Sequence, residues 1–114
     1  MTNNDRDLDI TISSSPREAL EWVVDNKPDC VLSDYNMHEM NGVEFTRRLR
    51  ETSEVPVILY TNQSRDDVVH QAFKAGVSDY VQKETDPMHY LLLLRRIKNA
   101  VDMHRLEMQI NRNP

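Results

Sequence analysis

Residues 55–60 read Val-Pro-Val-Ile-Leu-Tyr, apolar at nearly every position. A strand with one face in water alternates apolar and polar residues. An almost unbroken apolar run is instead the mark of a strand covered on both faces, as the strands of a parallel sheet are. The segments on either side decide whether such a sheet can be built.

Leu8-Asp9-Ile10-Thr11-Ile12-Ser13 alternates with the period of a half-buried strand. Ser15-Pro16-Arg17-Glu18 follows, with serine to cap, proline at the first helical position and glutamate three residues on, the pattern of a capping box. The helix it opens is expected to bury Ala19, Leu20, Val23 and Val24 and to stop before Pro28. Val31 and Leu32 lie in a second strand that ends at Asp34. After a turn at Asn41-Gly42, Val43 to about Glu51 reads as a helix burying Phe45 and Leu49. The 55–60 strand ends on Thr61. Ser64-Arg65-Asp66-Asp67 resembles another capping box, before a helix carrying Val68, Val69, Ala72 and Phe73 and closed by Gly76. Val77 to Gln82 is a short strand ending on Lys83, and Asp86-Pro87 caps a last, long helix from about Met88 to Gln109.

Strands and helices therefore alternate, which predicts an α/β fold with a parallel sheet and flanking helices. Ligands of such sheets bind at the carboxyl ends of the strands. Three strands end there in turn on Asp34, Thr61 and Lys83, so a carboxylate, a hydroxyl and an ammonium are expected along one edge. That set suits phosphate chemistry. Aspartate can act as a nucleophile and form an acyl phosphate. Lysine and threonine can offset and hydrogen-bond the phosphoryl oxygens, and an oxygen-seeking Mg²⁺ usually completes such a site.

The stretches VLSDYNMHEMNG, VILYTNQS and KAGVSDYVQK, with Asp34, Thr61 and Lys83 in register, are similar to the receiver domains of two-component response regulators, the CheY-like (flavodoxin-like) fold. The resemblance runs from about residue 8 to residue 103. It implies that Asp34 is the phosphoacceptor, that Asn36 offers its backbone carbonyl to Mg²⁺, that Thr61 follows the phosphate and that Lys83 pairs with it. Tyr80 stands where the family keeps a switch aromatic, although it reads equally well as an ordinary residue of an amphipathic strand. The implied partners are a histidine kinase or phosphotransfer protein, and the implied role is regulatory rather than enzymatic.

The chain departs from that pattern in several places. The family's first strand ends in two adjacent acids that hold Mg²⁺, and no such pair stands at a strand end here. Either Leu8–Ser13 is the family's second strand, with the first strand and helix absent, or it takes the first strand's place with Ser13-Ser14-Ser15 where the acids belong. The spacing favours the former, because a strand, one helix and the strand ending in Asp34 follow in the family's order. In the first case the gap is expected to close by an inward shift of that strand, or by exchange of elements in a dimer. Asp5, Asp7 and Asp9 are expected at the opposite end of the sheet, so Mg²⁺ binding is expected to be weakened. His38 and Glu84 stand where the family usually has proline.

Length and composition bound the remainder. A chain of 114 residues makes one domain, here 8–103, after a disordered or polar segment 1–7 and before a helical extension or linker 104–114. The apolar fraction of 39% is a little low, which suits an incomplete or paired fold. Nineteen acidic against 14 basic residues give a net charge of −5, which argues against non-specific binding to nucleic acid. No apolar stretch approaches membrane-spanning length, the polar start Met1-Thr2-Asn3-Asn4-Asp5 is no signal peptide, and a single cysteine suits a cytoplasmic protein. Cys30 reads as a small buried hydrophobe. His38, His70, His89 and His104 lack ligand-like spacing and read as solvated surface residues. Leu94, Ile97, Val101, His104 and Met108 fall near coiled-coil spacing; up to Val101 they read as core, and beyond it as the start of a helix towards a dimer contact or a sensor or output domain. The competing reading is a degenerate receiver, working as a dimerisation or docking module without phosphorylation, or an inactive fragment of a larger signalling protein. A hydrolase using Asp34 lacks the second acid expected close after it, since Tyr35 and Asn36 stand there.

Overall fold

The apolar runs become four strands: β1 (Ile10–Ser13), β2 (Cys30–Ser33), β3 (Val57–Thr61) and β4 (Asp79–Gln82). They belong to a computed structural model that describes residues 8–13, 15–62 and 65–112. Every neighbouring pair is parallel, and the strands lie in chain order, β1-β2-β3-β4. β3 begins at Val57 because Pro56 has no N–H to give to a ladder. The Pro56 carbonyl still accepts a hydrogen bond from Val31 N at 2.9 Å.

Between the strands run α1 (Pro16–Asn26), α2 (Gly42–Leu49) and α3 (Asp66–Ala75), and α4 (His89–Arg112) follows the last strand. Successive side chains of a strand face opposite sides of the sheet. Val31, Val57 and Leu59 point into a core with Val23, Phe45, Leu49 and Ala72 from the first three helices. Cys30, Leu32, Ile58 and Val81 point the other way, onto Leu93, Ile97 and Val101 of α4. This two-sided burial is what the apolar run at 55–60 demands, and the result is the expected parallel sheet with flanking helices. Cys30 is fully buried, and burial pushes its thiol up to about 12, so it is a packing residue and no nucleophile.

Helix ends follow local chemistry, with corrections. Ser15 occupies the α1 cap position and Pro16 the first turn, but the serine side chain makes no capping hydrogen bond, so the expected capping box does not form. Lys27 ends α1 in the left-handed region (φ 46°), donating its N–H to Val23 O one residue before Pro28. Asn41 caps α2, its side chain accepting from Glu44 N at 2.9 Å. Ser64 lies outside the described residues; Arg65 holds the cap position of α3, with Asp66 and Asp67 in the first turn favouring the positive end of the helix dipole. Gly76 closes α3 at φ 107°, a conformation that glycine adopts without strain.

Some apolar helix residues lie outside the core. Val24 is 46% exposed and Phe73 49%. In α3 the buried stripe is Val68, Ala72 and Ala75, and Phe73 sits 100° round from Ala72, on the flank. The same step carries Val24 past buried Val23 in α1.

β1 pairs directly with β2, from Ile10 opposite Cys30 to Ser13 opposite Ser33, so no gap remains in the sheet. The strand 8–13 thus sits beside the strand that leads to Asp34, the inward position expected as one of the two closures. Three helices cover one face of the sheet and α4 alone covers the other. That imbalance leaves Ile12 75% exposed, with Tyr90 at 59% and Leu94 at 46% on α4. Val101 is the last buried residue of α4, and the helix continues to Arg112 with Met103, Leu106 and Ile110 exposed. The expected seam is therefore split: Ile97 and Val101 are core, while Leu94 and Met108 are exposed. No described helix is long and apolar enough to cross a membrane.

One close approach ties the fold to the strand ends. A Cβ on Gly42, the first residue of α2, would lie 2.5 Å from the carbonyl oxygen of Asp34 and 2.6 Å from Leu59 Cδ2. Gly42 N also donates to Tyr35 O at 2.7 Å. Glycine is thus needed here for space and not for a special φ. Gly42→Ala is expected to destabilise the fold by about 1–3 kcal/mol through overpacking. Urea unfolding checks this, and an unchanged midpoint would mean that α2 does not approach Asp34 so closely.

Candidate functional site

The carboxyl ends of β2, β3 and β4 bring together the three residues expected there. Asp34 directly follows β2, Thr61 is the last residue of β3, and Lys83 directly follows β4. Parallel pairing places them along one edge, and Lys83 N donates to Thr61 O at 2.9 Å, which extends the β3–β4 ladder by one bond. Thr61 Oγ1 donates to Asp34 Oδ1 at 2.6 Å, and Lys83 Nζ donates to Asp34 Oδ2 at 2.9 Å. Asn36 N donates to Asp34 Oδ1 at 3.2 Å, folding the loop back over the carboxylate.

Exposure within this cluster is graded. Thr61 is fully buried, while the side chains of Asp34 and Lys83 keep 33% and 37% of their surface. Partial burial acts to raise the Asp34 pKa. The hydrogen bonds from Thr61 and Lys83, the Asn36 N–H and the lysine charge act the other way and prevail, so the carboxyl titrates below its ordinary value. At neutral pH the site therefore holds an ionised, reachable carboxylate with two side-chain donors and one backbone N–H already on it.

Tyr80, the expected switch aromatic, is half-buried on β4, and its side chain packs against the core shared with α1, α2 and α3. Burial raises its hydroxyl pKa. Met37 approaches Ser33 Oγ at 3.6 Å, and Glu39 takes a left-handed backbone (φ 78°) while pairing with Arg17 at 3.2 Å. His38 is exposed in this loop and joins no cluster of metal-ligating type.

A resident metal finds little to bind. Among the described residues no three His, Cys, Asp or Glu side chains converge. Asp34 supplies one carboxylate, and both of its oxygens already accept hydrogen bonds. Asp9 lies at the opposite end of the sheet, its carbonyl accepting from Asp29 N ahead of β2, as expected; Asp5 and Asp7 are outside the described residues. The residues present do not by themselves fit the oxygen cage a hard divalent cation requires.

His89 was expected on the surface and is buried. Its side chain is 1% exposed, its Nε2 lies 3.1 Å from Tyr60 Oη, and the two rings stack at 5.4 Å. Tyr60 in turn lies beneath the Lys83 ammonium, 5.5 Å from ring centroid to Nζ. Spacing between histidines could not reveal this contact. The available signal was the placement of His89 in the first turn after Pro87, amid Met88 and Tyr90, where a helix must dock on the sheet.

Comparison with known proteins agrees with this architecture. The family described as response regulator receiver domain matches residues 2–95. The transcriptional regulatory protein SrrA of Staphylococcus aureus is 30% identical over 97 residues, which span 82% of this chain and 40% of SrrA. Among solved structures, the BeF3-activated N-terminal receiver domain of Klebsiella pneumoniae RstA matches with a TM-score of 0.72 at 28% identity, over 86% of this chain and 81% of that one. A response regulator receiver domain protein from Clostridium thermocellum matches with a TM-score of 0.70 at 26% identity, over 82% and 75%. The family model matches most of the sequence and the fold is shared with solved receiver domains, and the chain belongs to the response regulator receiver domain family.

Proposed function

We propose that this receiver domain accepts a phosphoryl group on Asp34 in a two-component phosphorelay. A carboxylate oxygen of Asp34 attacks phosphorus, the bond from phosphorus to the donor nitrogen or oxygen breaks, and the leaving group carries away its electron pair. The donor is a histidine kinase or phosphotransfer protein. The observation that carries this reading is the pair of donors already on Asp34. Lys83 and Thr61 stand where their hydrogen bonds can pass from the carboxylate to the new phosphoryl oxygens, which bear the charge they neutralise. Thr61 then acts as the switch hydroxyl and Tyr80 as the aromatic that follows it.

Asp34 and the Asn36 carbonyl are the groups that would face a Mg²⁺, and with one carboxylate between them they would hold it weakly if at all without further ligands. The domain is regulatory and works in the cytoplasm, and it signals through changes at its surface. The exposed apolar side chains of α4 beyond Val101 support an output that runs along this helix, to a following domain or a second copy. The match covers 40% of SrrA, which is named a transcriptional regulatory protein. A phosphorylation-independent docking module is the outcome that the following experiment separates from this one.

Intact mass is expected to rise by one phosphoryl group after incubation with acetyl phosphate and Mg²⁺, and Asp34→Asn is expected to abolish the gain. Lys83→Met should slow the reaction about 100-fold, the usual cost of removing one charge-stabilising donor. No gain at high donor and metal concentration would leave the docking module or the inactive fragment.

The depressed Asp34 pKa also has a pH signature. A carboxyl that titrates lower in the folded than in the unfolded chain adds stability that is complete above its unfolded pKa and is lost as pH falls through its folded one, here below about pH 4. The ¹³C resonance of the Asp34 carboxyl should titrate below the ordinary aspartate range and move up in Lys83→Met. A midpoint at or above that range would show that the donors do not hold the carboxylate in solution.

A further inference from the structure

Lys83 lies outside regular structure, at the end of a flexible four-carbon stem, yet its ammonium must sit within reach of both Asp34 and an incoming phosphoryl group. Two contacts hold it. One is Asp34 Oδ2 at 2.9 Å, and the other is the face of Tyr60, whose ring attracts a cation through its quadrupole. Only the second survives when the ammonium transfers from carboxylate to phosphoryl oxygen, so the position of the Tyr60 ring bears on how well Lys83 performs that transfer.

The Tyr60 ring is itself held. His89 stacks on it with an interplanar angle of 15° and places Nε2 3.1 Å from its hydroxyl. The histidine is buried in the first turn of α4, and its other ring nitrogen, Nδ1, has no hydrogen-bond partner among the described residues. Glu84 Oε2 lies 3.8 Å from Nδ1, on an exposed side chain adjacent to Lys83 in sequence. A buried imidazole with one unsatisfied nitrogen costs stability where an apolar residue would not, and the contact with Tyr60 is what the histidine provides in return.

We propose that His89 is a positioning residue for phosphoryl transfer: through its hydrogen bond and stacking with Tyr60 it fixes the aromatic face that supports the Lys83 ammonium. This rests on the reading of Asp34 and Lys83 as the phosphoacceptor pair. It adds two residues, Tyr60 and His89, to the site, and it links the site to the start of α4 by a route separate from Thr61 and Tyr80.

The test combines an NMR readout with a rate. The Lys83 ε-methylene protons lie near an aromatic face and should resonate upfield of free lysine. Tyr60→Leu should abolish that shift, and His89→Phe, which keeps an aromatic ring but loses the hydrogen bond, should reduce it. Phosphorylation by acetyl phosphate should slow about two- to five-fold in Tyr60→Leu, the worth of one exposed cation–π contact. Tyr60→Phe and His89→Phe should each slow it less, and the Tyr60→Phe/His89→Phe double variant no further than either, because both remove the same bond. A merely structural histidine would lower the urea midpoint while leaving the Lys83 resonance and the rate in place, and that result would overturn the proposal, as would additive rates. If His89→Phe does not fold, Tyr60→Phe alone decides, since it removes only the hydroxyl. If the wild-type chain takes no phosphoryl group, the phosphoacceptor reading fails, and the Lys83 resonance still decides whether His89 positions the lysine.

Discussion

The Asp34 carboxylate is gripped by Thr61 Oγ1 at 2.6 Å and Lys83 Nζ at 2.9 Å, and the three side chains come from the ends of three different strands. Their separations in sequence are large, so only the sheet can bring them together. Parallel pairing does this because every strand ends on the same edge, where the ladder holds the termini in a fixed relation. The ladder is rigid because β2 and β3 are buried on both faces, Val31 and Leu59 on one side and Leu32 and Ile58 on the other. Removal of either layer would expose an apolar face and loosen the edge on which the carboxylate depends. Gly42 completes the geometry by letting the start of α2 press against the Asp34 backbone without a side chain in between.

Electrostatics at this edge are balanced between reach and restraint. A fully buried Asp34 would be driven towards its neutral form, and a fully solvated one would be a poor nucleophile with no donors in place. A third of the side chain remains open to solvent, while two charged or polar donors and a backbone N–H hold the ionised form. The lysine pair is too exposed to count as a major source of stability. Its value is positional: it fixes the lysine ammonium against the carboxylate at the strand edge.

The two faces of the sheet are unequally dressed, and this shapes the surface. Three helices close one side, whereas α4 alone spans the other and leaves Ile12, Tyr90 and Leu94 in contact with water. The same helix carries His89 against Tyr60 at one end and runs past the core at the other. One helix, α4 (His89–Arg112), thus joins the strand-end cluster to the exposed surface beyond the core.

Much of this was legible locally. The continuous apolar run, the alternation of strands with helices, Asn41 before Gly42 and Gly76 after α3 all express short-range rules of periodicity and turn chemistry, and the order of Asp34, Thr61 and Lys83 at strand ends followed from them. Short-range rules failed where a side chain's surroundings come from distant segments. Val24 and Phe73 obey helical spacing yet fall on a flank, because the neighbouring helices decide which 100° step is covered. Ser15 has the right identity for a cap but makes no capping bond. The direct pairing of β1 with β2 and the burial of His89 on Tyr60 depend on how α4 and the sheet meet. By itself the sequence determined the elements, the chemistry at each strand end and the need for a sheet covered on both sides, since these follow from residue type and spacing. Only the tertiary structure decided the strand order, the uneven cover of the two faces and the contact of His89 with Tyr60. Those are relations between segments far apart in the chain, and burial and pairing are properties of such relations.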